Sequence, residues 1–360
     1  MSTAAVTRSA APPRVDGVAA YAPGRPPSLW WAVGGWIAVP FLTAALARDR
    51  FILTTLAAAA VQGLFAVGWV LLAVTGQPSL GHALPYGAGA YAAAFVARRA
   101  GLHGGDLGGW VPVVLTAAAA IAGGCFGGLQ GRLTRRLAPA FVAVVTLATV
   151  EAARSLATMW TVPVLRGSGD TDTAIPLPTF PNDDRAAAWL AAAAFASGVL
   201  VVAALVRSRT GVALRAAAGG ERDAEALGFD APRLRLFAFI AAGTIAGIAG
   251  ALAAQLSGHA SPLMLSWQAS LFAPAAALIG GAATVAGPAA AAYAGAGAAQ
   301  FFEIPAAVQL LVFAGVLVAA GLRDPQHLFG PAFSWNPRPA ERTGDPRPGR
   351  SRPIVPWEDA

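Results

Sequence analysis

RSRTGVALRAAAGGERDAEALGFDAPRLR, residues Arg207 to Arg235, is the one long charged stretch set between two runs apolar enough for a membrane. Six Arg and four acidic residues fall within it, whereas the flanking runs Ala186 to Val206 and Leu236 to Leu256 carry no charge at all. Ala213, Leu214 and Ala217, then Ala224, Ala226 and Leu227, give each half a small apolar stripe at helical spacing. Two short helices are therefore predicted. Gly219-Gly220 divides them, because glycine inside a helix costs about 1 kcal/mol each. Gly228 stands where a left-handed residue would stop the second helix. Glu221, Asp223 and Glu225 place negative charge at the positive end of that helix. The stretch reads as a cytoplasmic loop shaped to be held by another component; the plainer reading is a solvated hairpin with no partner.

Working outward, the 360-residue chain is 56% hydrophobic and only 12% charged, with mean hydropathy +0.58. A soluble domain carries roughly 25% charged residues, so the expected class is an all-α, polytopic integral membrane protein. All 25 basic residues are Arg. Without Lys the chain can form neither a phosphate-binding P-loop nor a Schiff base. The net charge of +7 sits in loops and tails, which reads as membrane orientation. No basic face interleaved with aromatics offers a nucleic-acid surface. The four His residues are scattered and Cys125 stands alone in the apolar run Val111 to Leu129, where a buried thiol is expected, so neither a metal site nor an internal disulfide is expected. No catalytic constellation is found, and a membrane enzyme is set aside.

Residues 1–28, with three Arg and five Pro, are expected to be a disordered cytoplasmic tail. Leu29 to Ala47, with Trp30, Trp31 and Trp36 as interfacial anchors, and Phe51 to Thr75 read as the first two spans. The stretch GQPSLGHALPYGAGAY, Gly76 to Tyr91, crowds Gly, Pro, Gln, Ser and His at the mouth of a third run. Proline breaks the helical ladder, so this is a candidate broken helix lining a cavity; close helix packing through Gly87 and Gly89 is the alternative. A fourth span, Trp110 to Leu129, leads to a basic loop, Gln130 to Arg136. The fifth, Ala138 to Trp160, carries Glu151 and Arg154 at i,i+3, an ionisable pair that marks either function or a local ion pair. The loop Thr161 to Arg185 holds four Asp against two Arg and is assigned outside. After the sixth and seventh spans, Ala269 to Phe302 is too long for one crossing and is broken at Gly280 to Pro288, predicting two short spans or half-helices. Ile304 to Gly321 closes a count of about ten transmembrane helices, with the membrane-spanning body at 29–330 and a disordered cytoplasmic tail at 331–360. On this topology Arg48, Arg50, Arg98 and Arg99 fall outside, against the charge rule.

From Phe51 to Gly330 the chain resembles the permease subunits of ABC importers for branched-chain amino acids, nearer the LivM-like than the LivH-like member. The resemblance is carried by the Gly76 to Tyr91 stretch, RLAPAFVAVVTLATVEAAR around Leu137 to Arg154, the Arg207 to Phe239 loop, LIGGAATVAGP at Leu278 to Pro288 and GLRDPQHLFG at Gly321 to Gly330. It implies a type II ABC importer-like permease of the bacterial plasma membrane, without an ATPase site of its own. ATP and magnesium would act at two ATP-binding subunits, beside a second, LivH-like permease and an external solute-binding protein, all in membrane lipid. Arg215, Glu221, Glu225, Ala226, Gly228 and Phe229 would couple to the ATPase, with Glu221 to Gly228 as the coupling helix. Gln77, Ser79, Gly81, His82, Thr146, Glu151, Gly280, Gly281, Gly287 and Pro288 would line the translocation pathway. Two departures stand out: a family Gly is replaced around Ala138-Pro139-Ala140, and a Gly-rich outer turn appears as Arg166-Gly167-Ser168-Gly169-Asp170. The alternative class is an ion-coupled secondary transporter, for which Glu151 and His82 are the available coupling residues.

Overall fold

A computed structural model describes residues 29–102, 110–165, 175–177, 184–281 and 284–323. The two tails, the side chains of Trp30 and Trp31, the Arg166 to Asp170 turn and the chain after Arg323 lie outside the described residues. Twelve α-helices are found among those described: α1 Leu29–Leu46, α2 Arg50–Val74, α3 Ala83–Arg99, α4 Val111–Thr134, α5 Pro139–Leu165, α6 Asp184–Arg207, α7 Arg209–Gly219, α8 Glu221–Ala226, α9 Ala231–Ser257, α10 Trp267–Gly280, α11 Ala286–Phe301 and α12 Ala306–Arg323. The other regular elements among the described residues are a 3-10 turn at Pro262–Leu265 and one antiparallel pairing of β1, Ile175–Pro176, with β2, His259–Ala260. Helices α2, α4, α6 and α9, and the part of α5 from Phe141 to Met159, are long and apolar enough to cross a membrane. The 14 residues of α10 and 16 of α11 rise only about 21 and 24 Å, so the broken run is built from short helices as expected.

The main core is built by α2, α6 and α9, with α10 and α11 packed on it, and α4 is fitted closely along α9. Along α4, Gly123, Gly127 and Gly131 recur every four residues and face Phe239, Gly243 and Gly247 of α9. A Cβ on Gly123 would come within 2.7 Å of the Gly247 Cα, and one on Gly127 within 2.9 Å of the Gly243 Cα. With apolar lipid on both sides, helices associate by such close backbone packing rather than by a hydrophobic drive. Gly89 of α3 meets the Gly247 backbone from the other side, and Gly87 receives Leu265. The small-residue packing foreseen for Gly87 and Gly89 is thus present.

Contacts between helix ends sort them into two sets. Arg50 pairs with Asp184 at 3.0 Å, Arg185 donates to the Ala47 carbonyl at 3.2 Å, β1 pairs with β2, and the Phe51 and Phe301 rings lie 6.2 Å apart. At the opposite ends, Arg235 donates to the Arg135 carbonyl at 3.2 Å and Arg215 to the Val206 carbonyl at 2.8 Å. The first set contains the acidic segment assigned outside and the second the Arg-rich segment assigned inside. Two of the four outward cations that opposed the topology are occupied: Arg50 by Asp184, and Arg99 by the Phe95 ring, 5.1 Å from its centroid.

Three local readings are corrected. Gln130 to Arg136 is not a loop down to Gln130; α4 continues to Thr134 because Gln130, Gly131 and Thr134 are buried against its neighbours. Arg233 and Arg235 are not in the loop either. Asp230 caps α9 by accepting from the Arg233 N–H at 3.0 Å, and Pro232 suits the first turn, so the helix begins at Ala231. Cys125 is exposed on the outer face of α4 rather than buried.

Gly127→Val should destabilise the fold by about 1–3 kcal/mol through overpacking, read as a lower unfolding temperature in detergent. Gly295→Ala, where a Cβ meets nothing within 4 Å, should leave that temperature unchanged or raise it. In a Cys125→Ser background, Arg222→Cys should resist an impermeant thiol reagent added to intact cells; labelling there would invert the topology.

Candidate functional site

The α2 helix ends in a Schellman turn: Gly76 is left-handed (φ +67°), its N–H reaches the Ala73 carbonyl at 3.0 Å, and the Gln77 N–H reaches that of Leu72 at 3.0 Å. Residues 77–82 are then non-helical, and α3 opens at Ala83 with Pro85 in its first turn, where no N–H partner is required. This is the broken element anticipated at Gly76 to Tyr91.

Non-helical backbone at membrane depth has to find partners inside the protein. Four helices supply them. From α2, the Trp69 indole N–H donates to the Ser79 carbonyl at 2.8 Å. From α5, the Thr146 hydroxyl accepts from the Leu80 N–H at 3.1 Å. From α4, Gln130 Nε2 donates to the Gly81 carbonyl at 3.0 Å and to the Thr149 hydroxyl at 2.8 Å. From α10, the Ser270 hydroxyl accepts from the Ala83 N–H at 2.9 Å. His82 Nε2 lies 3.2 Å from the Phe65 carbonyl, which can only accept, so that ring nitrogen carries a proton and donates. Ser79 Oγ accepts from the Gly81 N–H at 3.2 Å. Any side chain at Gly81 would collide with the Thr146 carbonyl and come within 2.5 Å of Gln130 Nε2.

Gln77 is the exception. It is fully buried, and neither its amide nitrogen nor its carbonyl oxygen has a hydrogen-bond partner. A group of this kind normally forms one, so the break is held in an arrangement that leaves binding capacity unused. Gln130 lies four residues from the end of α4 and Thr146 seven residues into α5, which puts the break about 6–10 Å from the Arg-rich end of those helices.

Gln77, Ser79, Gly81, His82 and Thr146 therefore form one cluster, joined by Gln130, Thr149 and Ser270, which sequence reading had not singled out. Their signal was weak: isolated polar residues in apolar helices. Gly280, Gly281, Gly287 and Pro288 lie elsewhere. They form the tight α10–α11 turn, where Gly281 is left-handed-side (φ +84°) and Gly280 and Gly287 pack backbone to backbone. Ser270, ten residues or about 15 Å before that turn, is the part of α10 that meets the first break. Glu151 lies twelve residues along α5 and forms a bidentate ion pair with Arg154, Nε to both carboxylate oxygens at 2.9 and 3.1 Å. The two side chains remain 43% and 39% exposed on a helix with little covering from this chain.

The α7–α8 unit is the second candidate. Gly220 separates the two helices at φ +120°, and Gly228 ends α8 at φ +78° with the Phe229 N–H on the Ala224 carbonyl at 2.8 Å, as foreseen. Ala217, Ala224 and Ala231 pack together with Phe229 turned in against them. Glu225 and Ala226 are exposed, and Leu227 presents 63% of its surface. Arg215 is spent inward on the Val206 carbonyl, at the end of α6. A shallow groove beside α8 is lined by Arg135, Arg136, Glu221, Glu225, Phe229 and Arg233, among others.

A polar break buried among spans, beside an exposed helical unit on the Arg-rich side, suits a transport component. A family model described as branched-chain amino acid transport system, permease component, matches residues 51–321. The chain belongs to this family. No curated protein and no solved structure matches it. The permease is a multi-pass membrane protein whose role is transport rather than catalysis, and as a component of a system it works with partners.

Gly81→Ala should cut uptake by the permease at least about tenfold, since the break must open by more than a methyl radius to admit it. Membrane insertion should persist. Uptake within twofold of the parent would remove the tight fit from the argument.

Proposed function

We propose that the permease is the membrane-spanning subunit of an ATP-binding-cassette importer in a bacterial plasma membrane, moving branched-chain or other small apolar amino acids, or related amides. The observation that carries this reading is the α7–α8 unit. It is a folded, two-helix projection whose outward face offers Glu225, Ala226 and Leu227 while its inward face is consumed by its own small core. A solvated hairpin has no need of an inner core and an exposed Leu at its tip, whereas a docking helix uses both. ATP and magnesium belong to two ATP-binding subunits on this side; the chain has no Lys for a phosphate loop of its own. An external solute-binding protein delivers the solute to the opposite face.

A second, LivH-like permease is supported by α5. Glu151 and Arg154 lie about 18–22 Å along that helix, near mid-span, and are left about two-fifths uncovered by this chain. Charged side chains at that depth are costly against lipid, even paired, so a protein neighbour is the favoured covering. The ion-coupled alternative gains nothing from the geometry, because Glu151 is neutralised by Arg154 and His82 is engaged by Phe65.

For the solute, the break offers hydroxyl, amide and imidazole groups and no carboxylate or guanidinium. That chemistry suits a small neutral or zwitterionic molecule rather than a sugar phosphate or an ion. Proteoliposomes holding the permease and its native partners should take up labelled leucine or valine in an ATP-dependent way, well above a sugar control. Equal uptake of the control would overturn the solute assignment, and uptake indifferent to ATP would overturn the importer assignment. Glu225→Arg should lower ATPase stimulation by loaded binding protein while leaving the permease in the membrane.

A further inference from the structure

We propose that Arg235 is a positioning residue through which the α7–α8 unit acts on the break at residues 77–82. The proposal rests on the importer reading given above.

Arg235 stands on the second turn of α9, only 8% exposed, and its guanidinium gathers three elements. One terminal nitrogen donates to the Arg135 carbonyl just past the end of α4, at 3.2 Å, and lies 3.8 Å from the Glu221 carboxylate at the start of α8. The other donates to the Ala217 carbonyl in the last turn of α7, at 3.3 Å. Two helix C-termini and one carboxylate thus converge on a single planar cation. Helix C-termini attract positive charge, and a guanidinium can serve several acceptors in fixed directions where an ammonium acts as a point charge.

What α4 carries beyond this point gives the contact its consequence. Five residues before Arg135, Gln130 holds the Gly81 carbonyl and the Thr149 hydroxyl. Thr149 donates to the Thr146 carbonyl at 2.6 Å, and Thr146 accepts from Leu80. A helix segment shorter than two turns therefore lies between the docking unit and the break, and it is rigid because Gly131 packs against Phe239 of α9. Movement of α8 on a partner pulls on Arg235, shifts the end of α4, and alters the grip of Gln130 on Gly81. The break is a fitting receiver: Gln77 sits in it buried and unpaired, so its present arrangement is not the one that satisfies every group. Coupling between distant sites needs a contiguous set of contacts that ends on such an element.

The test uses the whole transporter in proteoliposomes, with its native ATP-hydrolysing subunits and binding protein; transport is read in a Cys125→Ser parent that keeps Ser79, and labelling is read separately after Ser79→Cys is added to that parent. The readouts are solute imported per ATP hydrolysed, and the change in thiol-labelling rate at position 79 on adding ATP. Arg235→Gln should cut both roughly tenfold, within the range that allosteric couplings span, while the ATP-hydrolysing subunits still co-purify. Arg235→Lys should restore an intermediate response. Gln130→Leu should give the same defect, and combining it with Arg235→Gln should add little, as for two residues acting in one path. An undiminished ATP response in Arg235→Gln, a full parental response in Arg235→Lys, or strictly additive losses would overturn the proposal. A parent complex that neither recruits an ATP-hydrolysing subunit nor imports solute would instead overturn the importer reading, and this is read before any variant.

Discussion

Backbone amides and carbonyls have no water to turn to inside a bilayer, and the structure is arranged around that shortage at residues 77–82. A helix satisfies its own ladder, so an interrupted one has to borrow partners. Here the borrowing is spread over α2, α4, α5 and α10, each giving one side chain to one backbone group of the break. The same bonds that satisfy the backbone fix the relative positions of four helices. A break placed this way is at once a weak point in the helical order and the point where the most elements meet.

The glycine seam serves that arrangement. For Gln130 to reach Gly81, α4 must pass close to α3 and α9, and only residues without side chains permit the backbone approach seen from Gly123 to Gly131. The seam also makes α4 and α9 one mechanical unit whose inner ends reach the α7–α8 projection. Arg235 then closes a loop of contacts from projection to break without a long side chain having to cross the membrane.

By contrast α5 is held loosely. It contributes Thr146 and Thr149 to the break from one face and offers Phe141, Val144, Leu156 and Met159 outward from the other, with the Glu151–Arg154 pair between them. A helix that touches the most polar part of the interior and remains uncovered along its outer face is placed to join the interior to whatever packs there.

Much was legible from residue order alone, and for local reasons. Apolar runs and their lengths follow from transfer energetics, which need no neighbours, so the spans, the split of 269–302 and the two helices of the charged loop were readable; so were Gly228 as a helix stop and the break after Thr75. Helix ends were misjudged where burial extended them: Gln130 and Arg235 look like loop residues by charge and polarity, and become helical because packing and hydrogen bonds reward them there. The grouping of Gln77, Ser79, Gly81 and His82 with Gln130, Thr146, Thr149 and Ser270 depends on contacts such as Ala83 to Ser270, 187 residues apart, and the separation of Gly280 to Pro288 from them is equally non-local. Sequence determines which segments enter the membrane because that depends on each segment's own surface. Tertiary structure alone decides which polar residue completes which broken ladder, because a hydrogen bond is specified by distance and direction between groups that the chain itself keeps far apart.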